Sequence, residues 1–116
     1  MPRNRHVRAS PRSKVLAIVA AIPEGCVTTY GSIGKRLKLT ARQVARALSS
    51  LTSEESEELP WFRVVAANGA ISTVKLGALG RRQIERLRVE GVSVNLRNQV
   101  EEFASTFWSP EKVESR

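Results

Sequence analysis

The chain has one cysteine, one histidine and one tyrosine in 116 residues. A single cysteine, Cys26, excludes an internal disulfide and suits a reducing compartment. A cytoplasmic protein is expected, nucleoid-associated in a bacterium and nuclear in a eukaryote. With His6 as the sole histidine, no His/Cys/Asp cluster has metal-ligand spacing, so no metal and no cofactor is expected. No apolar run approaches the ~20 residues of a membrane span. The N-terminus is basic, but no apolar h-region follows at signal-peptide spacing, so no export signal is read. Acidic residues are missing from two long stretches. Residues 1–23 carry Arg3, Arg5, Arg8, Arg12 and Lys14 with no acid, and residues 26–53 carry Lys35, Arg36, Lys38, Arg42 and Arg46 with none.

What is present is a small, basic, globular composition. Hydrophobic residues make up 41% of the chain and the formal net charge is +8. A chain of this length makes one domain and buries roughly 65% of its unfolded surface, enough for one small core. The acids begin to gather at Glu54, Glu55, Glu57 and Glu58. Such asymmetry favours a polyanion as partner, most simply a nucleic acid. A basic surface with no specific partner is the alternative that charge alone leaves open.

Taken in order, residues 1–9 are a basic arm without periodicity. Ser10-Pro11 is a helix start, a serine cap followed by a proline whose missing N–H costs nothing there. Val15, Ile18, Val19 and Ile22 recur at helical spacing, and Pro23-Glu24-Gly25 ends the helix. Val27 to Tyr30 reads as a short extended piece. Ser32–Leu37 is a brief helix, Lys38-Leu39 a turn, and Thr40 the cap of a second helix with Val44, Ala45, Leu48 and Leu51 inward. Two short helices around a tight turn read as a helix-turn-helix. Arg42 and Arg46, four apart, are expected on one outer side of the second helix, where a solvated face is the plain alternative. Thr52–Glu58 reads as an acidic loop. Pro60–Val65, the Asn68-Gly69 turn and Ala70–Ser72 read as a small hairpin. Residues 73–80 read as a loop, Arg81–Glu90 as a helix ended by Gly91, and Val92–Leu96 as extended. Val100, Phe103, Ala104 and Phe107 give one more amphipathic helix, closed by Trp108-Ser109-Pro110. That last segment either packs on the domain or docks a partner; core packing is favoured, because two aromatics at helical spacing usually bury.

Four stretches of this sequence carry a family resemblance. Ile22-Pro23-Glu24-Gly25-Cys26-Val27-Thr28-Thr29-Tyr30-Gly31 is the first, and Ala41-Arg42-Gln43-Val44 opens the second helix. Pro60-Trp61-Phe62-Arg63-Val64-Val65 forms the apolar segment, and Leu87-Arg88-Val89-Glu90-Gly91-Val92 follows. In this order and spacing they resemble the C-terminal DNA-binding domain of the O6-alkylguanine-DNA alkyltransferases, over about Val15 to Val94. In that family the third stretch reads Pro-Cys-His-Arg-Val, and its cysteine takes the alkyl group. Here Trp61 and Phe62 stand in the Cys-His positions, so the chain looks like an alkyltransferase-like protein. The fold implied is a small single α/β domain, mainly helical, with a helix-turn-helix (winged-helix-like) body and a short β-hairpin. It would span 10–96, after the arm at 1–9 and before a C-terminal amphipathic segment at 97–116.

The resemblance also implies roles. Tyr30 would press on the phosphate beside the target and help turn the nucleotide outward. Arg42 would fill the gap in the stack. Ala41 and Ala45 would allow the second helix a close approach to the minor groove. The DNA-contacting set expected is Tyr30, Thr40, Ala41, Arg42, Gln43 and Arg46; the lesion pocket is expected from Trp61, Phe62, Arg63, Val64 and Lys75. Lys75 is the nearest match to a basic residue that cysteine-lacking relatives carry after the hairpin. Read without the family, Tyr30 is a half-buried aromatic closing a short strand.

Physics agrees with this assignment. Reading a lesion on a base-pairing edge requires extruding the nucleotide, at a cost of a few kcal/mol. Stacking of the extruded base on an aromatic returns roughly 1–3 kcal/mol. Transfer of the alkyl group, by contrast, needs a thiolate and an adjacent base. Tryptophan offers only an indole N–H donor, and phenylalanine offers no base. The expectation is a non-enzymatic, monomeric binder of duplex DNA containing O6-alkylguanine, with the resemblance implying a link to nucleotide excision repair proteins and no membrane partner. Glu90, which supports the histidine in true transferases, is expected to cap local structure with Arg63 or a backbone N–H. Two alternatives remain. One is a plain helix-turn-helix DNA binder, regulatory, with a purely structural pocket. The other is a residual enzyme using Cys26.

Overall fold

The computed structural model describes residues 10–112. The basic arm expected at 1–9, with His6, lies outside them. The elements in order are α1 (Pro11–Ala21), β1 (Thr28–Thr29), α2 (Tyr30–Leu37), α3 (Ala41–Ser49), α4 (Ser53–Glu58), β2 (Val64–Val65), α5 (Ala78–Val89) and α6 (Phe103–Thr106). Single 3₁₀ turns occupy Trp61–Arg63, Ala67–Gly69, Ser72–Leu76 and Pro110–Lys112. The molecule is mainly helical with a short sheet, as the sequence implied. No helix among the described residues is long and apolar enough to cross a membrane.

The helix starts follow the capping chemistry of the sequence. The Ser10 hydroxyl accepts from the Ser13 N–H at 3.1 Å, with Pro11 at the first helical position. Thr40 and Gln43 form a reciprocal capping box on α3: Gln43 N–H donates to the Thr40 hydroxyl at 3.0 Å, and Thr40 N–H donates to Gln43 Oε1 at 2.8 Å. Between α2 and α3 the chain turns through Lys38, whose φ is +62°. Leu39 N–H donates back to the Gly34 carbonyl at 2.7 Å. A Cβ on Gly34 would lie 2.4 Å from the Leu39 oxygen. Only glycine allows the helix-turn-helix to close this tightly.

Several expected boundaries change. Thr52–Glu58 is not a loop: Thr52 and Glu55 build a second capping box and nucleate α4. α2 begins at Tyr30, and α5 begins at Ala78. Among the described residues after 97, α-helix forms only at Phe103–Thr106. Val100 is buried and bridges Val94, and Phe107 bridges Val27 in parallel. The described part of this segment is therefore built into the core.

The sheet is also differently made. β1 and β2 pair in parallel, Thr28 with Val64 and Thr29 with Val65. The Asn68-Gly69 turn does form, with φ of +62° and +83°, and Ala66 N–H reaches the Ala70 carbonyl at 2.8 Å. The hairpin then stops. Ala70 bridges Gln99 instead, and Ile71 N–H donates to the Asn98 carbonyl at 2.9 Å. The return arm finds a better-placed partner late in the chain.

β2 divides two apolar clusters, because consecutive strand residues face opposite sides. Val64 joins Val15, Ile18, Val19, Ile22, Ile33 and Val44 beneath the three N-terminal helices. Val65 joins Trp61, Phe62, Ile71, Leu87, Val92 and Val100 on the other side. Each fully buried aliphatic side chain contributes about 1.5–3 kcal/mol relative to exposure.

Candidate nucleic-acid interface

α3 presents Ala41, Ala45, Leu48 and Ser49 along one face, at the spacing of helical neighbours. This face forms one wall of a cleft of about 510 Å³. Ser72, Thr73, Lys75 and Leu79 form the opposing wall, and Tyr30, Arg42 and Trp61 complete the lining. The side chains available to a ligand are mostly apolar, and Arg42 and Lys75 supply exposed positive charge. Trp61 is 9% exposed, so the indole is a fixed surface and not a mobile flap.

Tyr30 begins α2 directly after β1, with Thr29 as the helix cap accepting from Ser32 N–H at 3.0 Å. Burial pushes the Tyr30 phenol above its ordinary 10.0, and a side-chain hydrogen bond with Ser72 opposes that shift. The hydroxyl therefore keeps its proton at neutral pH and can donate.

The structure thus brings Tyr30, Ala41, Arg42, Trp61 and Lys75 to one cleft, and it places the other expected residues elsewhere. Phe62 is 3% exposed and borders a separate depression with Glu58, Arg63, Arg86 and Glu90. The Arg86 guanidinium lies 4.5 Å from its ring centroid, within cation–π range. Val64 is fully buried under the N-terminal helices. Arg63 is turned away from the cleft toward Glu90, donating through Nε at 2.9 and 3.1 Å and through Nη2. Its Nη1 also donates to the Ile22 carbonyl at 2.7 Å. Phe62, Arg63 and Val64, expected in the pocket, do not line this cleft: Phe62 and Arg63 border the separate depression and Val64 lies in the core.

Glu90 accepts from both partners foreseen for it, Arg63 and a backbone N–H, that of Gly25 at 3.1 Å. Burial alone would raise its carboxyl. The Arg63 and Gly25 hydrogen bonds, with the charges of Arg63 and Arg86, outweigh burial and hold it below the ordinary range. Thr40 and Gln43 are exposed but engage one another in the α3 cap. Arg46 and Gln43 border a second groove with Arg12, Leu39 and Ala47. Arg42 lines the first cleft and Arg46 the second groove, although the two, about 40° apart around α3, project from one side of the helix as expected. Cys26 is half-buried, packed against the N-terminal cluster, and is not part of the cleft lining. Among the described residues, no group of three or more His, Cys, Asp or Glu could hold a metal ion.

Sequence reasoning missed Gln83. It is 1% exposed on α5. Its Nε2 donates to the Phe62 carbonyl at 3.0 Å and to the Val64 carbonyl at 2.9 Å, while Thr73 Oγ1 donates to its Oε1. The available signal was weak: a lone amide one position before Ile84 in a helix whose apolar residues already accounted for its core face.

Residues 10–92 match the family described as 6-O-methylguanine DNA methyltransferase, DNA binding domain. A protein named DNA base-flipping protein, from Escherichia coli, is 44% identical over 90 residues, which is 76% of this chain and 67% of that protein. Alkyltransferase-like protein 1 of Schizosaccharomyces pombe is 39% identical over 84 residues, 71% of this chain and 76% of that one. The crystal structure of S. pombe Atl1 in complex with damaged DNA containing O6-carboxymethylguanine superposes with a TM-score of 0.76 at 34% identity, covering 90% of this chain and all of that one.

Proposed function

The chain belongs to the family of the 6-O-methylguanine DNA methyltransferase DNA-binding domain, among its alkyltransferase-like members, and from that membership we propose that it recognises damaged DNA without repairing it. It binds duplex DNA through the minor groove, with α3 as the recognition helix. Tyr30 turns the nucleotide outward and Arg42 takes its place in the stack, where a planar guanidinium fits. The extruded O6-alkylguanine enters the cleft and lies against Trp61. The monomeric protein then holds the lesion and marks it for nucleotide excision repair.

One observation carries this reading. Trp61, in the sequence frame where transferases hold the alkyl-accepting cysteine, lines the same cleft as Tyr30 and Arg42. Among the described residues the cleft lining includes no cysteine and no histidine, and the indole that stands in the nucleophile's frame offers only an N–H donor, which fits binding without transfer. The base names of the relatives, a base-flipping protein and a protein bound to damaged DNA, support the same reading.

The test compares affinity for matched duplexes bearing guanine or O6-methylguanine at one position. Several-fold tighter binding to the lesion is expected, with no mass gain on the protein after incubation. Equal affinity would favour a plain helix-turn-helix binder. A methyl adduct on Cys26 would make the protein an enzyme.

A further inference from the structure

We infer that Gln83 is a positioning residue for the base cleft, fixing the gap between the turn that carries Trp61 and the wall that carries Ser72 and Lys75. This rests on the lesion-binding reading above. The inference comes from the inventory of one side chain. A glutamine amide has two N–H donors and one oxygen acceptor. In Gln83 the nitrogen reaches two carbonyls and the oxygen receives a hydroxyl, at 1% exposure.

The three partners are not neighbours of one another in function. Phe62 lies in the 3₁₀ turn and Val64 in β2, and their carbonyls converge on the one amide nitrogen. β1 pairs with β2 on one side; Gln83 takes these carbonyls where another strand would sit. The Phe62 carbonyl lies one residue beyond Trp61, so this contact holds the 3₁₀ turn that carries the indole. Thr73 belongs to the opposing wall, next to Ser72, whose side chain bonds Tyr30. One buried amide therefore joins floor and wall, and through Ser72 the chain of contacts continues to the residue that acts on the nucleotide. A site held loosely at this spacing loses selectivity before it loses general affinity, because only the extruded base must fit between floor and wall.

A role confined to stability would lower the melting temperature and weaken both duplexes alike. The test uses the full chain with Thr73→Val, which keeps the side-chain size and removes only the hydroxyl, and Thr73→Ser, which restores it. Thr73→Val is expected to reduce the ratio of lesion to plain affinity about three- to tenfold, the change that one net hydrogen bond corresponds to. Plain-duplex affinity should hold. Gln83 lies outside the cleft lining, so Gln83→Met, which removes the amide without altering a surface the base would touch, should lower the ratio to the same degree, and Thr73→Ser should return it to that of the parent protein. In the free protein, amide exchange across residues 72–76 should accelerate in Thr73→Val. An unchanged ratio, or an equal loss for both duplexes, overturns the inference. If the parent protein shows no lesion preference, the lesion-binding reading fails by itself; exchange then decides the clamp, and unchanged exchange in Thr73→Val overturns it.

Discussion

Trp61 and Phe62 are adjacent in sequence and meet edge to face, with ring centroids 5.9 Å apart and planes at 87°, yet they serve different surfaces. Trp61 lines the cleft shared with Tyr30 and Arg42, whereas Phe62 lies under Arg86 in a separate depression. The two positions that would form a nucleophile and its base in a transferase are here a cleft-lining indole and a buried phenyl ring. Replacing only the first would not restore chemistry.

That gives the first prediction. Trp61→Cys, even if folded, should accept no methyl group from O6-methylguanine DNA at neutral pH, because no neighbouring base lowers the thiol pKa. Intact-protein mass spectrometry after incubation checks this; a gain of one methyl group would show that the cleft itself can activate a thiol. Trp61→Leu should weaken lesion binding by roughly 1–3 kcal/mol, the worth of one base–aromatic stack.

Arg42 and Arg46 should separate in their effects. Arg42→Ala should abolish the preference for the lesion, since it removes the group proposed to replace the extruded base. Arg46→Ala should weaken lesion and plain duplex equally and lower the salt slope by about 0.9, the contribution of one neutralised phosphate. Titrations at several salt concentrations distinguish the two; identical behaviour of both variants would contradict the cleft assignment.

Gly34→Ala should destabilise the fold by about 1–3 kcal/mol, as for other forced overpacking. The obstacle is the Leu39 carbonyl, a backbone atom that cannot swing aside. Thermal melting should fall by about 4 °C for each kcal/mol in a domain of this size. An unaltered melting temperature would mean that the turn between α2 and α3 adjusts freely.

Glu90 should make stability depend on pH in the acid range. Its folded pKa is depressed below the ordinary 4.5. Above that value the carboxylate is ionised in both folded and unfolded chains, and its stabilising contribution is complete. As pH falls below 4.5 the unfolded chain takes up the proton first, and the contribution is lost as pH passes through the depressed folded value. Glu90→Gln should therefore be less stable at neutral pH, by about 3 kcal/mol if Arg63 is left unpaired. Its loss of stability between pH 5 and the acid limit, about pH 2, should be shallower. Urea midpoints across that range measure both.

The helix-turn-helix was legible because its instructions are local. Ser10, Pro11 and Thr40 each specify a helix start through groups one to three residues away. The α4 capping box was equally local, Thr52 followed by Glu55, but the run of acids around it suggested a solvated loop. The hairpin was misread for the opposite reason. Asn68-Gly69 specifies a turn and nothing about what the returning chain pairs with; Gln99 and Asn98 decided that. The cleft was half legible. Trp61, Tyr30 and Arg42 could be placed through the family's motifs, while the sideways turn of Phe62 and Arg63 and the amide of Gln83 depend on contacts between distant parts of the chain.

Val27 lies between two distant stretches of sequence. Its neighbour Thr28 pairs with Val64, and its own N–H and carbonyl bond to Thr106 and Trp108 at 2.9 and 2.8 Å. Such pairings close large loops before any contact rewards them, which slows folding relative to a bundle of equal size. During synthesis the apolar cluster around Val27 stays incomplete until Val94 and Val100 have emerged, and the Val27 backbone unpaired until residues 106–108 have left the ribosome. A nascent chain stalled short of that point would hold a complete α3 and yet be a target for chaperones and proteases.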